Sequence, residues 1–180
     1  MKKAILRLTS ALLGAGLSLN AVATAPGNDA DRAPQFTHTA ADDWINSAPL
    51  KLEDFAGRVL LVDFWAFECW NCYHSFPWLK SVESRFGPKG LAVLGVHAPE
   101  FPDERVRANV IAKTREFGLA HPVMLDNDFS YWKALDNQYW PAYYIIDKQG
   151  RIRGRYVGET HADDKQAHAI EALIARLLAE

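Results

Sequence analysis

The sequence predicts an α/β fold, a central mixed β-sheet with helices on both faces, its elements running in the order β-α-β-α-β-α-β-β-α. Three observations predict it. The run VLLVDFWA (residues 59–66) is β-branched or aromatic on both of its alternating faces, as suits a central parallel strand covered from both sides. Directly after it, Cys72, Phe76, Leu79, Val82 and Phe86 recur at a three-to-four spacing that marks an amphipathic helix, and Gly87-Pro88 ends it. Strand-like and helix-like segments then alternate to the end of the chain.

Residues 1–25 differ from the rest. Lys2, Lys3 and Arg7 precede an apolar stretch from Leu12 to Leu19, and small residues follow at Ala21, Ala23 and Ala25, the pattern of a secretory signal peptide. Cleavage after Ala23 is favoured over cleavage after Ala25, which would leave Pro26 first. The stretch is well short of the ~20 apolar residues of a spanning helix and is interrupted by Gly14 and Gly16, so no stable membrane anchor is expected after cleavage. Residues 26–41, rich in Ala, Pro, Asp, Asn and Thr, read as a flexible lead-in, and residues 42–180 as one domain.

Within that domain a short strand pair is expected around Trp44–Ile45 and Leu50–Leu52, ahead of the turn at Ala56-Gly57 and the central strand. After the first helix come a strand over Leu91–His97 and a helix from Pro102 to Phe117 with Val106, Val110, Thr114 and Phe117 on one face and Gly118 as its stop. A short strand over Pro122–Leu125 and a short helix over Ser130–Leu135, capped by Ser130 or Asp128, follow. Ala142–Ile146 and Arg151–Val157 form a hairpin around Lys148-Gln149-Gly150, and the last helix spans Asp163–Ala179, with Ile170, Leu173, Ile174, Leu177 and Leu178 as its apolar stripe.

Composition narrows the function. With 49% hydrophobic residues the chain can bury a real core, and its formal net charge of −2 becomes more negative once the signal is lost, so it offers no footprint for nucleic acid or anionic lipid. Export leads to a compartment where disulfides persist, yet there are only two cysteines, Cys69 and Cys72, three positions apart. Cys69 falls between a buried strand and a helix N-terminus, where unpaired N–H groups and the helix dipole favour a thiolate, so it is the expected nucleophile. Cys72, one turn on, can resolve a mixed disulfide. Two other readings are weaker: a static disulfide would close too short a loop to remove much chain entropy, and a zinc site would need two further ligands that no second CxxC or HxxxH motif supplies. Asp63, the lone acid of the central strand, has its pKa raised by desolvation and can accept the proton of Cys72; a core Asp bonded to a neighbouring group is the plainer alternative.

The stretch LLVDFWAFECWNCYHSFPWL resembles the active-site segment of thioredoxins, with the aromatic-Ala-x-x-CxxC order and a proline in the helix after it. The resemblance implies a thioredoxin fold in which Cys69 and Cys72 are nucleophilic and resolving, Asp63 is the buried acid, Pro77 kinks the helix, and Phe64 and Trp65 pack beside the site. Pro141 stands where the family places a cis-proline facing the disulfide, so that Trp140 can offer its backbone to a substrate strand. The extra strand-helix unit at residues 91–117 is similar to the insertion of TlpA/ResA-like periplasmic proteins, and GVHAPEF, DNDFSYW and NQYWPAYYIIDKQGRIR look closer still to the thioredoxin-like domain of DipZ-type proteins. Glu68 and Trp70-Asn71 depart from the usual Trp before the first cysteine and Gly-Pro between the two, so the redox potential is not carried over. Glu68 is expected on a solvated rim; turned inward, it would disfavour the Cys69 thiolate. Trp70 and Trp140 flank the chemistry as an apolar contact patch, while Trp78, Trp132, Tyr139 and Tyr143 are expected mostly in the core. His97, at the end of its strand, and His74 are candidates for tuning the thiols, though packed or solvent-bonded side chains are the plainer reading.

Together these readings point to a periplasmic thiol:disulfide oxidoreductase without cofactor or metal. The TlpA-like resemblance implies a reductant of protein disulfides, in the manner of cytochrome c biogenesis, recharged by a membrane electron donor of the DsbD type. Two alternatives stand beside it: a Cu(I)-binding metallochaperone using Cys69, Cys72 and His97, and a thiol peroxidase, disfavoured because Ala66 stands where that chemistry wants a threonine.

Overall fold

The computed structural model describes residues 31–180; the signal segment expected at residues 1–25 lies outside them. Ten regular elements follow in order: β1 (Trp44–Ile45), β2 (Val59–Trp65), α1 (Trp70–Phe86), β3 (Leu91–His97), α2 (Arg107–Glu116), β4 (Val123–Leu125), α3 (Ser130–Ala134), β5 (Ala142–Ile146), β6 (Ile152–Val157) and α4 (Lys165–Ala179). The strands form one mixed sheet in the order β1-β4-β3-β2-β5-β6, with β2, β3 and β4 parallel and the other pairings antiparallel.

β2 is central and all seven of its residues are buried, as a run that is apolar at every position but Asp63 requires. Alternation sends Val59, Leu61, Asp63 and Trp65 to one face and Leu60, Val62 and Phe64 to the other. The first set packs under α1, α4 and Val110 of α2. The second packs against Phe36, Trp44, Leu52, Phe55 and Tyr131. Gly95, opposite Asp63 in β3, leaves room for the Trp65 indole, whose Nε1 would lie 3.0 Å from any Cβ placed there.

Several sequence expectations give way. The segment expected to be a flexible lead-in packs on the sheet from Ala33 onward: Phe36 is buried edge-on against Trp44, Phe55 and Tyr131, with centroids 6.0, 5.9 and 5.4 Å apart, and Arg32 bridges to Arg151. One aromatic in a polar stretch has no periodicity, so only the tertiary contact reveals it. The expected pair of Trp44–Ile45 with Leu50–Leu52 does not form, because β1 finds its ladder on β4 while Leu52–Phe55 winds into a 3-10 turn that inserts Leu52 and Phe55 into the core. The helix expected over Pro102–Phe117 is broken: Pro102–Arg105 is a 3-10 turn, Val106 adopts an extended conformation and is exposed, and α2 begins at Arg107. Tyr139 is exposed rather than buried. At α3, Phe129 takes the left-handed conformation, and Asp126, buried at the end of β4, accepts the Tyr131 and Trp132 N–H groups, while Asp128 accepts that of Ser130.

Candidate active site

Cys69 and Cys72 are joined in a disulfide with their Cα atoms 5.3 Å apart. The local structure follows from the chain leaving the end of β2. The Cys69 N–H donates to the Ala66 carbonyl at 3.3 Å, and Cys69 becomes the N-cap of α1, its Sγ accepting the Cys72 N–H at 3.3 Å. A helix N-terminus presents unpaired N–H groups and the positive end of its dipole, so charge developing on Cys69 sulfur is stabilised there. Exposure separates the two: Cys69 keeps 8% of its surface accessible and Cys72 none.

The mouth around Cys69 is an open cleft lined by Glu68, Trp70, Asn71, Glu100, Phe101 and Trp140. Trp70 is 67% exposed and Phe101 also stands out to solvent, so apolar side chains stand at the rim beside the sulfur. Glu68 is exposed, as expected of a rim residue. Trp140 is half-buried and held in place: its Nε1 donates to the Ala98 carbonyl at 3.0 Å and its ring lies 4.3 Å from that of Trp132. The Trp140-Pro141 peptide is cis, and Pro141 leads directly into β5.

Asp63 lies two residues from the end of β2, on the face shared with Cys72 and α1. It is fully buried, neither carboxylate oxygen has a hydrogen-bond partner among the described residues, and burial pushes its pKa up to about 8. No described residue supplies the bond that the plainer alternative calls for. His97, paired with Trp65 across β2 and β3, is enclosed by the Trp65 and Phe67 rings at 4.8 and 5.8 Å, and burial drives its pKa down to about 3. It is therefore a neutral core side chain, and among the described residues it does not join the two sulfurs in a ligand-sized cluster. His74 sits at the surface, its Nδ1 2.9 Å from Glu159 Oε1.

Glu104 escaped the sequence reading. It is completely buried, and its carboxylate accepts N–H groups from Glu68 at 2.8 Å and from Glu100 and Phe101, the last at 2.8 Å. In the acidic stretch PEFPDE it reads as one more solvated charge; the only available signal was its position three residues after Phe101, where a glutamate can close a helical turn. His38 was missed too: its Nε2 lies 2.9 Å from Oδ1 of the buried Asp126, which ties the N-terminal segment to the end of β4.

Comparison with known proteins agrees with this architecture. The DipZ protein of Mycobacterium tuberculosis is 39% identical over 119 residues, which cover 64% of this chain but only 17% of DipZ. The chain thus spans about a sixth of that relative. The thiol-disulfide oxidoreductase YkuV of Bacillus subtilis is 26% identical over 149 residues, 83% of this chain and 97% of YkuV. Among solved structures, a thiol-disulfide isomerase from Corynebacterium glutamicum superposes with a TM-score of 0.69 at 25% identity, covering 83% of this chain and 99% of the other, and a thioredoxin-like superfamily protein superposes with a TM-score of 0.72 at 27% identity, covering 83% of this chain and 97% of the other, which establishes the thioredoxin fold. The redoxin family profile matches residues 28–173, and the chain belongs to the redoxin family.

Proposed function

We propose that this protein is a thiol:disulfide oxidoreductase that reduces disulfides in other proteins. The observation that carries the reading is the asymmetry of the pair: one sulfur reachable at a helix N-terminus in an apolar-rimmed cleft, the other sealed behind it on the face that holds a protonatable buried carboxyl.

In the reduced protein the Cys69 thiolate attacks one sulfur of a substrate disulfide, forming a mixed disulfide and releasing the other sulfur as a thiolate. The Cys72 thiol passes its proton to Asp63 and attacks Cys69 Sγ, which closes the Cys69–Cys72 disulfide and expels the second substrate thiolate. Two electrons move from the protein to its client, and a dithiol donor must return them. Asp63 is suited to that proton because its raised pKa lies close to that of a thiol. Trp70 and Trp140 give the client apolar contacts, and the backbone at Trp140-Pro141 offers it a strand to pair with.

The N-terminal pattern supports action in the periplasm, with a membrane donor of the DsbD type returning the electrons; among the described residues no helix is long and apolar enough to cross a membrane. Similarity to YkuV and to the Corynebacterium isomerase supports the same chemistry. The test is to express Cys72→Ser with its native leader and isolate covalent partners under non-reducing conditions. Mixed disulfides through Cys69 are expected, and they vanish in a Cys69→Ser, Cys72→Ser variant; a Cys72→Ser protein that carries no partner would refute the assignment.

A further inference from the structure

The loop that delivers Cys69 is held by two side chains at a single peptide group. Between Phe67 and Glu68, the carbonyl of Phe67 accepts a hydrogen bond from the Tyr73 hydroxyl and the N–H of Glu68 donates to Glu104 Oε1 at 2.8 Å. The two holders come from different parts of the chain: Tyr73 sits in the first turn of α1, directly after Cys72, and Glu104 in the 3-10 turn that precedes α2. Glu104 also accepts the N–H groups of Glu100 and Phe101, which line the facing wall of the cleft.

We propose that Tyr73 and Glu104 act as a two-sided clamp on the 67–68 peptide, a pair of positioning residues that fix Cys69 relative to the wall at Glu100-Phe101 and so set the geometry in which a client disulfide is attacked. The inference rests on the thiol-disulfide reading above. A peptide plane gripped at both its carbonyl and its amide cannot rotate, and Cys69 is one residue further along. A local turn cap would explain the Phe101 bond, but not the bond to Glu68, which is 36 residues away in sequence. The clamp is also chemically consistent: Tyr73 remains a neutral donor, burial foremost raising its pKa, and the Glu104 carboxylate, completely buried, is surrounded by N–H groups that suit an anion.

The experiment compares wild type, Tyr73→Phe, Glu104→Gln and the double variant as full chains, reading kcat/KM for reduction of insulin disulfides and the pH midpoint of Cys69 alkylation. Each single change is expected to lower kcat/KM about ten-fold or more, because a misplaced attacking atom is costly. The double variant is expected to be no worse than the poorer single one, since a peptide released at one end is already free to rotate. Glu104→Gln should also move the alkylation midpoint to lower pH, because a negative charge has been removed beside the turn that carries Cys69. Wild-type kcat/KM in Tyr73→Phe, or losses that multiply in the double variant, would overturn the clamp; Tyr73→Phe, which removes one hydroxyl, decides alone if Glu104→Gln does not fold. Were wild type itself inert toward insulin, the thiol-disulfide reading would fail, whereas the alkylation midpoints would still report on the clamp, equal midpoints in wild type and Glu104→Gln overturning it.

Discussion

Replacing Asp63 by Asn removes an ionisation that the core beneath the dithiol cannot solvate. The carboxyl is fully buried without a hydrogen-bond partner among the described residues, and its pKa stands at about 8 against 3.8 for an exposed aspartate. The folded protein therefore keeps a proton that the unfolded chain releases above about pH 4. The stability belonging to this group is fully present below 3.8 and is lost as pH rises towards and through 8. At about 1.4 kcal/mol per pH unit, wild type loses about 4 kcal/mol between pH 4 and pH 7 from this group alone. Asparagine does not titrate and shows no such slope. Guanidinium unfolding of both oxidised proteins at pH 4 and pH 7 measures it: the stability of Asp63→Asn relative to wild type should improve by about 4 kcal/mol at the higher pH. Taking the difference between two pH values cancels the constant cost of burying an amide. An Asn-minus-Asp difference that does not change with pH would refute the raised pKa and, with it, the fitness of Asp63 to take the Cys72 proton. The same substitution should slow turnover while leaving the disulfide able to form, and should remove the rise of wild-type turnover as pH approaches 8.

Phe36→Ala should destabilise the protein by about 3 kcal/mol in thermal or denaturant unfolding, since it empties an aromatic site between Trp44, Phe55 and Tyr131; a negligible loss would mean the N-terminal segment does not pack. The hydrogen bond to Asp126 raises the pKa of His38, so its contribution is fully present below the ordinary value of 6.5 and disappears as pH rises through the raised one. Accordingly, His38→Gln should be less stable than wild type at pH 5.5 and approach it at alkaline pH, as followed by urea unfolding. Gly95→Ala should cost roughly 1–3 kcal/mol, because its Cβ would meet the Trp65 indole, Val123 and His121 at 3.0–3.3 Å, and near-UV circular dichroism of the tryptophans should register the shift.

Much of this protein was legible in its residues because the relevant signals are local. The apolar run of β2, the period of α1 and the stripe of α4 each name an element without reference to any other. The CxxC spacing at a strand-to-helix junction places both sulfurs on the first turn of a helix, and a lone acid in an apolar strand is desolvated wherever that strand is buried. The misses share the opposite property. Phe36, Glu104 and His38 owe their roles to partners across long stretches of chain, and no periodic pattern announces a single side chain. β1 was read as one edge of a local pair because sequence neighbours are the default partners, whereas its ladder lies on β4, some 80 residues away.

By itself, then, the order of residues determined the fold class, the redox pair and the acid behind it, since backbone periodicity and the desolvation of a buried charge depend on what is adjacent along the chain. Tertiary structure alone decided that His97 is a neutral core residue enclosed by two aromatic rings, that His38 meets the buried Asp126, and that a buried glutamate holds the peptide before Cys69. Those outcomes depend on which surfaces exclude water and which N–H groups find an acceptor, and both are settled only when distant segments meet.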